Sequence, residues 1–205
     1  MAQKHSIKQM VLALKQKPFL YSFLMGFASG MPFFLTSRTM QAWLKEAGVD
    51  LTMIGIFAIV GLPYTLKFIW SPILDRFTLP ILGHRKGWLA LSQLALTILI
   101  CGMALTNPAH HLWGFAFMAL LVAFFSATQD IVVDAYRIET LKDEELGLGT
   151  ALYMYGYKIA MLISGALAFI LADHFEWKYV YLFMAAIMGL DAAVSIPPSF
   201  QPLFV

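Results

Sequence analysis

The length of its uninterrupted apolar runs constrains this chain most. A helix needs about 20 apolar residues to cross the hydrocarbon core of a bilayer. Six runs of that order follow one another, at approximately 19–43, 52–73, 88–106, 112–133, 149–172 and 178–197. Turn and charge signals separate them: Lys45 to Asp50, Asp75 to Gly87, Asn107 to His111, Asp134 to Gly149, and Asp173 to Lys178. A membrane β-barrel would show short alternating strands, which continuous runs exclude. The pattern predicts an all-α integral membrane protein, a six-transmembrane-helix bundle. Composition agrees, with 60% hydrophobic and 13% charged residues, where soluble domains sit near half apolar and a quarter charged.

Within that frame the chain divides into three parts: a segment at 1–18, a six-helix transmembrane domain at 19–197, and residues 198–205, which read as a truncated linker. In the first part Ile7, Met10, Val11 and Leu14 recur at helical spacing among Lys4, Lys8, Lys15 and Lys17. That suits either an amphipathic helix on the inner membrane surface or a solvated leader. The first apolar run is too long for the core of a cleaved signal peptide, so it is expected to remain as a span.

Lysine and arginine placement predicts orientation. Lys4, Lys8, Lys15, Lys17, Arg76, Arg85, Lys86, Arg137 and Lys142 fall on one side, against Lys45 and Lys178 on the other. Both termini are therefore expected in the cytoplasm of a multi-pass protein. A net charge of +2 gives no reason to expect a nucleic-acid partner. The lone Cys101 lies in an apolar run and reads as a small core or lipid-facing residue.

Ionisable groups inside spans are expensive and usually face a cavity or a partner. Here they are Arg38, Lys67, Lys158 and Asp191, with Asp130 and Asp134 closing the fourth run. At about 1.5 Å per residue, Lys67 lies roughly 7 Å and Lys158 roughly 14 Å from the inner boundary. Asp130 and Asp134 share one helix face, with Ser126 above and Arg137 below. Two bases and two acids are thus expected to converge on the cytoplasmic third of the bundle. They either neutralise one another as buried ion pairs, or line a translocation path and hold its gate. Asp130, the deeper acid, is the candidate proton site. A carboxylate that alternates between burial and a lysine can take up and release a proton.

Arg38 falls in the outer half of the first run beside Thr36, Ser37, Thr39 and Gln41. It either snorkels to headgroups or meets an anionic substrate. Asp191 has no evident mate. Glycine and proline recur within runs, at Gly26, Gly30, Pro32, Gly61, Pro63, Gly156 and Gly165, where they permit close helix contact and kinks. Trp43, Trp70, Trp88, Trp113 and Trp177 fall near run ends and read as interfacial anchors. No phosphate loop, nucleophile elbow or metal-ligand cluster is present in the sequence. Neither enzymatic activity, nor a cofactor, nor a metal is expected.

Six spans with an acid–base pair after the second resemble one half of the major facilitator superfamily. That superfamily's loop pattern, G-x-x-x-D-R-x-G-R-R, is similar here in altered form. Asp75-Arg76 match, Ser71 stands where glycine is usual, and Gly83-His84-Arg85-Lys86 arrive late, after an inserted Thr78 to Leu82.

A narrower likeness is to AmpG-type muropeptide transporters. It rests on Gly26 to Pro32, Gln41-Ala42-Trp43, Thr52 to Gly55, Tyr64 to Arg76, Gly87-Trp88, Ser126 to Ala135, Gly156-Tyr157-Lys158 and Ser164-Gly165. The resemblance implies proton-driven import of anhydro-muropeptides across the bacterial inner membrane during peptidoglycan recycling. Arg38, Gln41, Tyr64, Gln129 and Tyr157 would lie on the substrate path; Asp130, Asp134, Lys67 and Lys158 would serve the proton and the gate; Asp75, Arg76, Arg85 and Lys86 would form the loop motif. Siderophore and acetyl-coenzyme A transporters share parts of the signature. Family members carry two six-helix halves or more, and this chain corresponds to the first. It is then a fragment, a half that pairs with a separate C-terminal half, a parallel homodimer, or a remnant that does not transport.

Overall fold

The computed structural model describes residues 15–77 and 84–195. The expected amphipathic leader up to residue 14, the inserted Thr78 to Leu82 and the linker at 198–205 lie outside the described residues. Six segments are long and apolar enough to cross a membrane: Lys17–Glu46, Leu51–Ile69, Arg85–Leu105, Leu112–Thr140, Asp143–Ala172 and Trp177–Ser195. We refer to these as the first to sixth spans. Among the described residues there is no strand.

Several spans are broken, for reasons visible in the sequence. The first consists of α1, Lys17–Leu35, and α2, Arg38–Glu46. Pro32 removes one amide from the last turn of α1. The helix ends a turn later, at Ser37, with φ −125° and ψ −100°. The hydroxyls of Thr36 and Ser37 turn back onto the carbonyls of Pro32 at 2.9 Å and Phe33 at 2.6 Å. The second span, interrupted by Gly61 and Pro63, alternates between α3, Leu51–Ile56, a 3₁₀ turn at Phe57–Gly61, α4, Leu62–Leu66, and a second 3₁₀ turn at Lys67–Ile69. A short α5, Ser71–Arg76, follows.

The third, fourth and sixth spans are continuous helices: α6, His84–Leu105, α7, Leu112–Thr140, and α10, Trp177–Ser195. The fifth holds α8, Asp143–Leu162, a π-helical turn at Ile163–Leu167, and α9, Ala168–Ala172.

The first span packs most extensively on the fifth, and the third packs against both the fourth and the sixth. The first–fifth seam is built on glycine. A side chain at Gly26 or Gly30 would run into the backbone carbonyl of Tyr153 or Tyr157, and one at Gly156 would meet the carbonyl of Phe23. The seam is reciprocal, because each helix supplies glycine where the other presents backbone.

Where the first span breaks and the fifth bulges, freed carbonyls find side-chain donors. Thr39 Oγ1 donates to Ser164 O at 2.6 Å, and Tyr181 Oη from the sixth span donates to Leu35 O at 2.8 Å. Around this junction Trp43 packs on Phe115, Tyr181 and Trp177 with ring centroids 5.0, 4.7 and 6.4 Å away. Trp43 and Trp177 are buried, and Trp177 Nε1 donates to Glu46 Oε2 at 2.7 Å. They are core residues, not interfacial anchors. Their position near run ends misleads because the bundle closes over them. Trp113, in contrast, is 71% exposed.

Candidate functional site: a polar wall across the first, second, fourth and fifth spans

The broken geometry of the first and second spans opens a cavity of about 350 Å³, lined by Phe33, Thr36, Ser37, Gln41, Phe57, Ala58, Gly61, Tyr64 and Thr65. Two of the expected path residues, Gln41 and Tyr64, are therefore on one surface. The Tyr64 hydroxyl lies 3.5 Å from Thr36 Oγ1 and points to the neighbourhood of Ser126 of the fourth span. Its ring sits edge-on to Phe33, which in turn neighbours Tyr157 of the fifth span. Tyr64 thus connects the cavity to the acids below it.

One turn beyond Ser126 stands Asp130, half-buried, with Oδ1 sealed from solvent and unpartnered. Lys67, Ser29 and Asp134 act on it, and it acts in turn on Tyr64, Tyr153 and Tyr157. Four spans converge on this one carboxylate. The helical interval from Ser126 to Asp130 to Asp134 places all three along one line on α7. Asp134 is engaged separately: Arg137 Nη2 contacts its Oδ1 at 2.6 Å, while the guanidinium lies 4.2 Å from the centre of the Tyr153 ring.

The arrangement departs from the expected cluster of two bases and two acids. Lys67 and Asp134 act electrostatically on Asp130, but Lys158 is exposed on the fifth span and does not act on it. The 3.6-residue period explains this: Tyr157 faces the wall, so its neighbour is turned about 100° away. Gln129 is wholly buried, with both amide atoms unpartnered, and does not line the cavity. Arg38 is exposed and forms no ion pair with a described residue. Ser29 and Tyr153 were not anticipated as site residues. The glycine at Gly26 and the serine three residues later gave the only clue to a close, polar helix face.

At the same end of the bundle, Arg85 joins three elements. Its Nη1 contacts Asp75 Oδ1 at 2.8 Å, and its Nε and Nη2 both reach Glu139 Oε1, at 3.1 and 2.8 Å. Asp75 and Arg85 of the loop motif therefore meet, despite the shifted spacing, and Glu139 completes the pair from the fourth span. Arg76 is exposed and Lys86 half-buried.

This charge clamp joins a polar wall inside six spans, and the chain's similarity to known proteins gives that combination a family. The family model described as Major Facilitator Superfamily matches residues 15–199. The chain belongs to the Major Facilitator Superfamily. It is accordingly a multi-pass membrane protein of a transporter family. Within the superfamily it is similar to the anhydromuropeptide permease of Escherichia coli K12, 45% identical over 166 residues, covering 80% of this chain and 34% of that protein. It is also similar to an uncharacterized protein of Haemophilus influenzae, 47% identical over 163 residues (80% and 38%), and to a Rickettsia conorii protein named AmpG 4, 39% identical over 170 residues (80% and 41%). The chain spans about a third to two-fifths of the length of these facilitator relatives.

Proposed function

We propose that this chain forms the first half of a proton-coupled inner-membrane transporter that imports anhydro-muropeptides from periplasm to cytoplasm. The observation that carries the reading is the buried Oδ1 of Asp130 one turn from Ser126 on the fourth span, within the electrostatic reach of Lys67 and Tyr64. Tyr64 lies on the cavity that Gln41 and Thr36 also line. The name of the E. coli relative supplies the substrate class. Such sugar-peptides combine hydroxyls, amides and carboxylates. The cavity's hydroxyl and amide groups suit the first two, and the exposed cations Arg38 and Lys158 suit the third.

Coupling follows from the position of Asp130. With Lys67 close, the carboxylate is favoured; when the second span moves away, burial favours the protonated acid. Lys67 stands on a 3₁₀ turn within the broken second span, the kind of segment that often marks a hinge. The wall needs a facing surface, because hydrocarbon cannot solvate Lys158 or Arg38. Superfamily transporters bind substrate between repeats. We assign that surface to a second six-helix unit, with a second copy of this chain as the alternative. By the distribution of lysine and arginine, the end bearing Arg85 and Glu139 is cytoplasmic.

The test is uptake. The chain is expressed in a Gram-negative strain lacking its muropeptide permease, alone and with a C-terminal half, and labelled anhydro-muropeptide is followed. Uptake that collapses with a protonophore and falls at least tenfold in Asp130→Asn is expected. Full pH-driven uptake by Asp130→Asn at normal protein level would remove Asp130 from the proton path. Absence of uptake in both settings, with normal membrane insertion, would sink the transport reading.

A further inference from the structure

Away from the wall, the Asp191 carboxylate is enclosed by the bundle with no opposite charge acting on it among the described residues. Asp191 lies in the sixth span one turn before Ser195 and is 7% exposed. The sixth span packs on the third, on the first and on the end of the fifth. The charged groups on those elements are Lys17 at the start of α1, Arg38, Lys45 and Glu46 on α2, Arg85 and Lys86 at the start of the third span, and Asp173 just past α9, with Lys178 on the sixth span itself. Arg85 is engaged by Asp75 and Glu139. Lys86 begins two turns before Gln93, roughly 10 Å away along the helix axis. None of these acts on Asp191, whose polar contact is the hydroxyl of Ser195.

That hydroxyl is held from across the interface. Gln93 Nε2, from the third span, donates to Ser195 Oγ at 2.7 Å, and both side chains are wholly buried. Ser195 accepts from Gln93 and lies one turn from Asp191 on the same helix, so the three polar residues share one place in the interface. Asp191 Oδ2 and Gln93 Oε1 are sealed from solvent with no donor among the described residues. Among the described residues Asp191 has no counter-charge, and a proton on its carboxyl would remove the charge and turn one of its oxygens into a donor.

We propose that Gln93, Ser195 and Asp191 form a proton-binding site between the third and sixth spans, separate from the Asp130 wall. The proton binds Asp191 Oδ2, cancels the carboxylate's charge and supplies the donor that the cluster lacks. Occupied, the site holds the third span, at Gln93, to the end of the sixth, at Ser195. Emptied, it places a bare negative charge in their shared interior and drives them apart.

Infrared spectroscopy on the purified chain in lipid nanodiscs tests the site without reference to transport. A protonated carboxylic acid has a carbonyl stretch separate from the carboxylate bands. At neutral pH that band is expected to lose intensity in Asp191→Asn and to keep this component in Asp130→Asn. Gln93→Met leaves the acid in place and is expected to shift the component by changing its hydrogen bonding. A spectrum unchanged by both Asp191→Asn and Gln93→Met overturns the site. Loss of the component on adding sodium chloride at fixed pH overturns the assignment to a proton, in favour of a metal cation.

Discussion

A single methyl group is enough to test the seam between the first and fifth spans. At Gly156 an added Cβ meets the carbonyl of Phe23, a backbone atom that cannot rotate aside. At Gly55 nothing lies within 4 Å. Alanine gains about 1 kcal/mol of helix propensity over glycine at either position. At Gly156 the overpacking penalty of about 1–3 kcal/mol exceeds that gain. Gly156→Ala is therefore expected to lower the unfolding temperature in detergent, and Gly55→Ala to leave it unchanged or raise it. Equal behaviour of the two variants would contradict the close seam. The glycines were legible in the sequence as a class, but which of them touch backbone was not. That depends on which pair of spans meets, and spacing within one helix carries no information about its partner. The same limit explains why Lys158 was grouped with Asp130. Spacing along a helix gives relative depth, while the direction of the side chain around the axis depends on packing.

At the scale of elements, the two interruptions of the first and fifth spans lie against each other. Ser164 lies in the π-helical turn, and Thr39, just past the break after Leu35, donates to its carbonyl at 2.6 Å. Thr39→Val keeps shape and removes the donor. Interhelical hydrogen bonds in membranes are worth about 0.6 kcal/mol on average and up to about 1.7. A fully buried carbonyl at a wide turn belongs at the upper end, so a loss of about 1–1.7 kcal/mol is expected in reversible unfolding. A loss below the average value would mean that Ser164 O is solvated or served by another donor. Six spans could be read from apolar length, since length is what the bilayer demands. The break in the first could be anticipated from Pro32 only in kind, because the chain carries the helix one turn past the proline before turning. The π turn leaves no trace in composition.

Considered as a whole, the molecule has two kinds of outer surface. The third and sixth spans expose apolar side chains, among them Leu91, Leu94, Ile98, Phe183, Leu190 and Val194. The second and fifth are the least buried spans and mix such groups with Thr65, Tyr155 and Lys158. The first surface suits lipid and the second suits protein. With Cys101 replaced by alanine, a cysteine at Tyr155 is expected to cross-link to a partner unit, and one at Leu94 is not. Cross-linking when the chain is expressed alone identifies a second copy, and cross-linking only with a co-expressed C-terminal half identifies that half. Cross-linking at Leu94 but not at Tyr155 would reverse the assignment of the two surfaces.

The glycine seam also has a consequence for how the chain is made. The first span finds its principal neighbour in the fifth, and about 100 residues separate the end of one from the start of the other. At about 5–20 residues per second, the ribosome takes roughly 5–20 s to deliver that neighbour. Throughout that interval the helix bearing Ser22, Ser29, Gly26 and Gly30 has no fifth span to cover its small polar face. The seam therefore sets a waiting time during synthesis, and an insertase or chaperone that shelters the early helix would act in that window.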